Sequence, residues 1–282
     1  MTDRHPLPEA PEPLPAAVTD AHTHLGTTAR KTGLGPAEAL AAARAVGVRR
    51  IVDVGYDVES SRAVIALAGE FDDVVAVVGV HPHDAVELGD GLDEALRAVE
   101  GLLGTSARIR GVGETGLDFY WVKDGCGRDT QRTAFAAQIG WAKAHDLVLV
   151  IHDRDAHSAL ADVLDAEGWP DRVQMHCFSG DAAFARRCLD AGAHLSFPGT
   201  VTFKPNEALR DAARLTPADR LLVETDAPYL TPMPLRGRAN ASYLMPHTVR
   251  FLAALRGEDL EGLCAQLDAN ATALFGDWGS RG

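Results

Sequence analysis

Long apolar runs are missing from this chain. Its 282 residues are 46% hydrophobic, but the Val/Ile/Leu-rich stretches are short and broken by Gly, Asp and Pro. None approaches the roughly 18 residues a bilayer span needs, so no membrane association is expected. The opening "MTDRHPLPEAPEPLP" lacks the apolar centre of a secretion signal. Five prolines fall between Pro6 and Pro15, and residues 1–18 are expected to form an extended arm ahead of a single domain over 19–282. Cysteine is scarce. The four present, Cys126, Cys177, Cys188 and Cys264, form no Cys-x-x-Cys pair, which excludes a disulfide framework and fits reduced thiols in the cytoplasm. Cys177 adjoins His176 and reads either as a thiolate or as a small buried residue. Positive charge is also short: 27 Lys and Arg stand against 40 Asp and Glu, a net −13. That balance disfavours a broad nucleic-acid footprint, although bound metal ions can reverse the field locally. There is no internal repeat and no Gly-x-Gly-x-x-Gly in the first strand–helix turn, which weighs against a dinucleotide fold.

What the chain does have is an alternation of short apolar runs with longer stretches of helical spacing. The runs fall at 16–22, 49–55, 74–80, 108–114, 147–152, 173–176, 193–197 and 220–226. Helices are expected over 35–47, 57–71, 130–145, 156–168, 181–192, 245–257 and 259–276, with Pro36 in a first turn and Asp57 as a cap. Eight strands separated by crossover-length segments predict a parallel sheet covered on both faces. The count and chain length favour a closed (β/α)8 barrel over an open doubly wound sheet.

In such a barrel the C-terminal ends of the strands converge on one mouth. His22 and His24 end the first run, His81 and His83 follow the third, Glu114 ends the fourth with Asp118 after it, His152 ends the fifth, His176 the sixth and Asp226 the eighth. Two histidines at i and i+2 share one face of a strand. Alone that pair is a weak signal. Together with His152, His176, Glu114 and Asp226 at other strand ends it points to metal, since imidazole and carboxylate suit zinc, manganese, iron or magnesium. Six ligands exceed what one tetrahedral ion with an open position needs, and fit two divalent ions sharing a carboxylate. Glu114 is the best bridge, because Gly111, Gly113 and Gly116 let the backbone come close around it. Asp226 can both ligate and take a proton from water. Its alternative is a helix cap before "APYL". Glu224, of the same strand parity, is expected to support the ligands from behind.

The motifs "DAHTHLG", "GVHPHD", "GVGETGLDFYW", "LVLVIHDRDA", "VQMHCFSGD", "LSFPGTVTFK", "LLVETDAPYLTP" and "LRGRANASY" closely resemble, in order, those of the TatD-family metal-dependent hydrolases, within the amidohydrolase-like barrels. The resemblance runs from about Thr19 to Phe275. It implies a distorted (β/α)8 barrel and metal-dependent nuclease or phosphodiesterase activity. It also implies one metal on His22, His24 and Asp226, a second on His152 and His176, and Glu114 between them. The chain departs from the family pattern at Gly26, often Asp in the family, and after Asn240, where Ala241 and Ser242 replace an acidic residue and a proline.

The resulting expectation is a phosphodiesterase with two divalent ions (zinc, magnesium or manganese) that cleaves ends of DNA or RNA, single-stranded ends above all, with Asp226 and Glu114 as the catalytic carboxylates. His81, Arg154, Lys204, Arg236 and Arg238 are candidates to hold substrate phosphates, and Phe119, Tyr120, Trp121 and Phe203 to stack on bases. The alternative is a two-metal amidohydrolase acting on a C–N, ester or lactone bond. Related barrels of that kind often use a carboxylated lysine on the fourth strand, where this chain has Glu114 and no lysine nearby.

Overall fold

The computed structural model describes residues 7–279. Eight strands are present: β1 (Val18–Thr23), β2 (Val48–Val54), β3 (Val74–Val78), β4 (Ile109–Asp118), β5 (Val148–Arg154), β6 (Val173–Met175), β7 (His194–Phe197) and β8 (Leu221–Val223). They pair in parallel in sequence order. The helices are α1 (Leu25–Thr32), α2 (Pro36–Ala45), α3 (Val58–Glu70), α4 (Pro82–Glu87), α5 (Leu92–Glu100), α6 (Gly125–Ala144), α7 (His157–Glu167), α8 (Ala182–Asp190), α9 (Glu207–Leu215), α10 (Met245–Arg256) and α11 (Leu260–Phe275). This is the expected (β/α)8 barrel, nearly closed. β8 and β1 share no ladder. Instead the chain beyond β8 bridges the gap: Asp226 N–H donates to His22 O at 2.9 Å and His24 N–H to Ala227 O at 3.0 Å. The seam is therefore closed by the segment that carries Asp226.

Strand parity sorts the core. Val52, Val54, Val75, Val77, Val148 and Val150 point inward and pack with Leu274, Phe275 and Trp278. Ile51, Val74, Ala76, Val78, Leu149 and Ile151 point outward to the helices. At the N-terminal end of the strands the chain after α11 closes the barrel. Arg108 Nη1 donates to Trp278 O at 2.7 Å, and the Arg50 guanidinium lies 5.4 Å from the Trp278 ring. The opposite end stays open.

Four of the anticipated helices, α3, α6, α8 and α11, carry a side-chain cap, whereas α2, α7 and α10 were legible without one. Asp57, Asp124, Asp181 and Asp259 each accept from a first-turn backbone N–H of α3, α6, α8 and α11. Asp124 starts α6 at Gly125, earlier than expected. The helices not anticipated include α1, α5 and α9, none of which has a side-chain cap bond. Of the proline-rich arm, residues 1–6 lie outside the described residues. Over 7–17 the chain forms no helix or strand and is seated by Leu14 N–H on Val46 O (3.0 Å) and by the Tyr243 hydroxyl on Pro8 O (2.6 Å).

His194, first residue of β7, is buried and its Nδ1 has no hydrogen-bond partner. Burial, helped by the charge of Arg220, lowers its pKa from 6.5 to about 4. The unfolded chain therefore binds the extra proton first. Stability should be fully present above pH 6.5 and fall as pH drops from 6.5 toward 4, by about 3 kcal/mol from this group. Urea melts of the wild type and of His194→Gln across that window check it; equal pH slopes would remove His194 as the cause.

Candidate metal centre

The open end of the barrel holds a cavity of about 1030 Å³ lined by His24, Tyr56, His81, Glu114, Asp118, Trp121, His152, Arg154, His176, Cys177, Asp226 and Tyr229, among others. Its floor is built from strand ends, although not all ends fall where the apolar runs stop. β6 ends at Met175 and β8 at Val223, so His176 and Asp226 sit in the turns beyond. β4 runs on to Asp118, which places Glu114 inside the strand rather than at its end. The β4–β5 register shifts between Val112 and Thr115, and such an irregularity re-aims the side chain it carries. The glycines on either side make it possible. Gly113 has φ 149°, and a Cβ there would lie 2.5 Å from Val150 O. At Gly116, φ 141°, it would lie 2.0 Å from His152 O.

Glu114 occupies the centre. Its Oε1 lies 2.8 Å from His152 Nδ1, 2.9 Å from His176 Nε2 and 3.7 Å from His81 Nε2. Its Oε2 lies 3.5 Å from His22 Nε2 and 3.7 Å from His24 Nε2. One carboxylate thus divides two groups of histidines between its two oxygens. Asp226 joins the second group, with Oδ1 3.5 Å from His24 Nε2 and 3.9 Å from His22 Nε2. The ligand atoms of His22, His24 and Glu114 lie within 4.8 Å of one another, as do those of His81, Glu114 and His152.

The donor set fits divalent metal. His22 is fully buried and neither ring nitrogen has a hydrogen-bond partner, an arrangement that costs free energy unless a ligand supplies the missing contact. Burial, with His176 stacked 3.7 Å away, lowers the His22 pKa and keeps the ring neutral, the form that coordinates. Burial alone would raise Glu114 and Asp226. Their histidine neighbours overcome it and hold both carboxylates below the usual range.

With that geometry, sequence similarity decides the family. Residues 19–276 match the model of TatD-related DNases. The chain belongs to this family of metal-dependent hydrolases. It is 45% identical over 262 residues to the uncharacterized metal-dependent hydrolase TatD of Mycobacterium tuberculosis (strain ATCC 25618 / H37Rv), covering 92% of this chain and 98% of that one. It is 37% identical over 246 residues to the 3'-5' ssDNA/RNA exonuclease TatD of Cronobacter sakazakii (strain ATCC BAA-894), covering 84% and 90%. Among solved structures, the TatD homologue YJJV of Escherichia coli K12 superposes with a TM-score of 0.82 at 27% identity, covering 92% and 97%.

Within this TatD-family barrel, further groups orient the histidines. Glu224, fully buried, lies 3.2 Å from His176 Nδ1 and accepts from Cys177 N–H (2.7 Å), Ser196 Oγ (2.6 Å) and Gln174 Nε2 (3.3 Å). It stands behind the ring, as its strand parity predicted. His24 Nδ1 donates to Val54 O at 2.8 Å, which turns Nε2 to the cavity. Three carboxylates act in ways the sequence did not disclose. Asp118 lies 3.1 Å from His152 Nε2 and accepts from Tyr120 and Trp121 N–H. Asp53 accepts from Leu25 N–H at 2.9 Å and fixes the start of α1 beside His24. Asp20 accepts from Thr225 N–H and Oγ1, at 2.9 and 2.6 Å, and holds the segment before Asp226. Burial raises Asp20 and Asp53 to about 7. The one available signal was an acidic residue inside an apolar strand.

The substrate candidates divide. His81 and Arg154 line the cavity. Lys204, Arg236 and Arg238 are exposed and do not. Lys204 adjoins Pro205 and Asn206, which do line it, and Arg236 covers the Phe203 ring at 4.5 Å. Tyr120 and Trp121 are exposed and edge-to-face at 5.0 Å, with the Arg154 guanidinium 3.9 Å from the Tyr120 ring. Phe119 lies under Arg128 at 4.2 Å. Cys177 has its thiol pushed well up by burial and nearby carboxylates, which excludes a ready thiolate. Asn240 keeps its place at the departing segment, donating to Thr225 O at 2.9 Å and Tyr229 O at 2.6 Å. Among the described residues no helix is long and apolar enough to cross a membrane.

Proposed function

We propose that this TatD-family hydrolase is a phosphodiesterase that uses two divalent ions to trim ends of single-stranded DNA or RNA in the cytoplasm. One observation carries the reading: the two oxygens of Glu114 are shared between His152 with His176 and His22 with His24. Two divalent ions would be held there, one by His22, His24 and Asp226 and the other by His152 and His176, with Glu114 available to both. Bound there, zinc, manganese or magnesium supplies Lewis acidity and brings the pKa of water toward about 7.

The chain's own residues do the rest. Asp226 is ionised and lines the cavity, so it takes the proton from the attacking water. His81 lines the cavity, with Nδ1 accepting from His83 N–H at 3.2 Å and Nε2 turned toward Glu114 Oε1 at 3.7 Å, so Nε2 is placed to donate to a phosphate oxygen. Arg154 meets the charge of the phosphate, and Tyr120 and Trp121 offer faces to bases. Lys204, Arg236 and Arg238 lie farther out, where they can meet only strand positions beyond the cavity. The relatives named 3'-5' ssDNA/RNA exonuclease support the same substrate class.

Chelator-stripped protein is expected to lose hydrolysis of end-labelled single-stranded DNA, RNA and bis(p-nitrophenyl) phosphate, and to regain it with zinc, manganese or magnesium. Amide and lactone substrates in the same panel test the amidohydrolase alternative. Their turnover, with no phosphodiester cleaved under any metal, would overturn the reading.

A further inference from the structure

Of the cations chosen from sequence, Arg154 lines the cavity and Lys204, Arg236 and Arg238 do not, but two others stand at its rim. α1 leaves the metal centre directly after His24 and carries Arg30 and Lys31 in its last turn, both exposed. Arg30 Nη2 donates to Tyr56 Oη at 2.8 Å and Thr27 Oγ1 at 2.9 Å. Lys31 Nζ sits 3.8 Å over the Tyr229 ring. Thr27, Tyr56 and Tyr229 all line the cavity. The two tyrosine rings stand edge-on to His24, at 5.7 and 6.5 Å. Each cation is thus set one tyrosine beyond the metal centre, opposite the wall that carries Arg154.

We propose that Arg30 and Lys31 form a phosphate-binding station for a nucleotide next to the one being cleaved, with Tyr229 offering a face to its base. The proposal rests on the phosphodiesterase reading above and names which part of the strand the rim holds. Among the described residues the contacts of these two cations are with the Thr27 and Tyr56 hydroxyls and the Tyr229 ring, not with a carboxylate, in a chain of net charge −13. The tyrosine contacts fix the side chains without neutralising them, and for Arg30 they use only Nη2. Nη1 and Nε stay open to a phosphate, for which a guanidinium edge is well shaped. Gly26 keeps it so. A Cβ at 26 would find Arg30 Nη1 at 3.8 Å as its nearest neighbour, so any acidic side chain there, four residues earlier on the same helix, would pair with Arg30. Glycine leaves that charge for the substrate.

The test uses the metal-loaded full chain and a fluorescein-labelled, hydrolysis-resistant phosphorothioate single strand, with anisotropy as readout. Arg30→Ala combined with Lys31→Ala is expected to weaken binding about 10-fold at low salt. It should also reduce the slope of log K against log salt by about 1.4, the value for two lost contacts to a single strand. Gly26→Asp, which adds a carboxylate without touching either cation, is expected to weaken binding about 3-fold. Turnover of bis(p-nitrophenyl) phosphate, too small to reach the rim, should stay within about twofold in all of them. Strand affinity and salt slope unchanged in the double variant, with the wild type still cleaving strands, would overturn the station and leave the phosphodiesterase reading intact. A wild type that hydrolyses no phosphodiester of either size would overturn both.

Discussion

Glu114→Gln should lower turnover on the order of 10³-fold, the scale of losing a preorganised charged group at the reacting centre, and should lower bound metal at the same time. The substitution keeps the shape of a side chain that is only 7% exposed, so packing is nearly unchanged. What changes is the donor set. The carboxylate offers one oxygen to His152 and His176 and the other to His22 and His24. An amide keeps one acceptor and turns an NH2 toward two imidazoles, which cannot share an ion with it. Whichever way the amide faces, one side of the centre loses its link, and one of the negative charges that favour cations there is gone. Metal content by mass spectrometry and turnover of bis(p-nitrophenyl) phosphate should fall together, while the melting temperature of chelator-stripped protein changes little. Metal content and turnover both within threefold of wild type would show that no ion is shared through Glu114.

The strands and the six candidate ligands were legible because both are written in local pattern. Val74–Val78 is an unbroken apolar run, and His22 and His24 share strand parity. A (β/α)8 topology then brings residues as distant as His22 and Asp226 to one mouth without further information. Three things were not legible, each for its own reason. Glu114 was placed at a strand end because the apolar run stops there. β4 continues to Asp118 through glycines that tolerate contact no side chain allows, and glycine breaks the hydrophobic pattern that marks a strand. Asp20 and Asp53 read as ordinary acids, and Asp118 was placed at the mouth without a role, since their partners, Thr225, Leu25 N–H and His152, are set by which elements touch across the barrel. The rim cations were missed with α1 itself. That helix has no side-chain cap and buries only Leu25, Thr27 and Thr28, so neither a start signal nor a periodic apolar face betrays it.

Asp226→Asn is expected to cut turnover at least about 10²-fold, within the usual range for a lost acid–base group, with little change in KM or fold. The backbone argues for asparagine as the informative substitution. Asp226 has φ 50°, in the left-handed region that Asn tolerates well and Ala poorly. Its N–H bond to His22 O at 2.9 Å helps close the barrel seam, its O accepts from Tyr229 N–H at 2.9 Å in the following turn, and Asn preserves both. Asp226→Ala would confound a chemical loss with a backbone penalty next to His24. The amide oxygen of Asn can still face His24 and one ion, so metal content should fall less than in Glu114→Gln, while the proton acceptor is lost outright. Two measurements separate its roles: bound metal retained with turnover lost assigns Asp226 to the proton, and both lost together assign it to coordination. Turnover within a few-fold of wild type would remove it from the mechanism and leave the closing of the seam between β8 and β1 as its work.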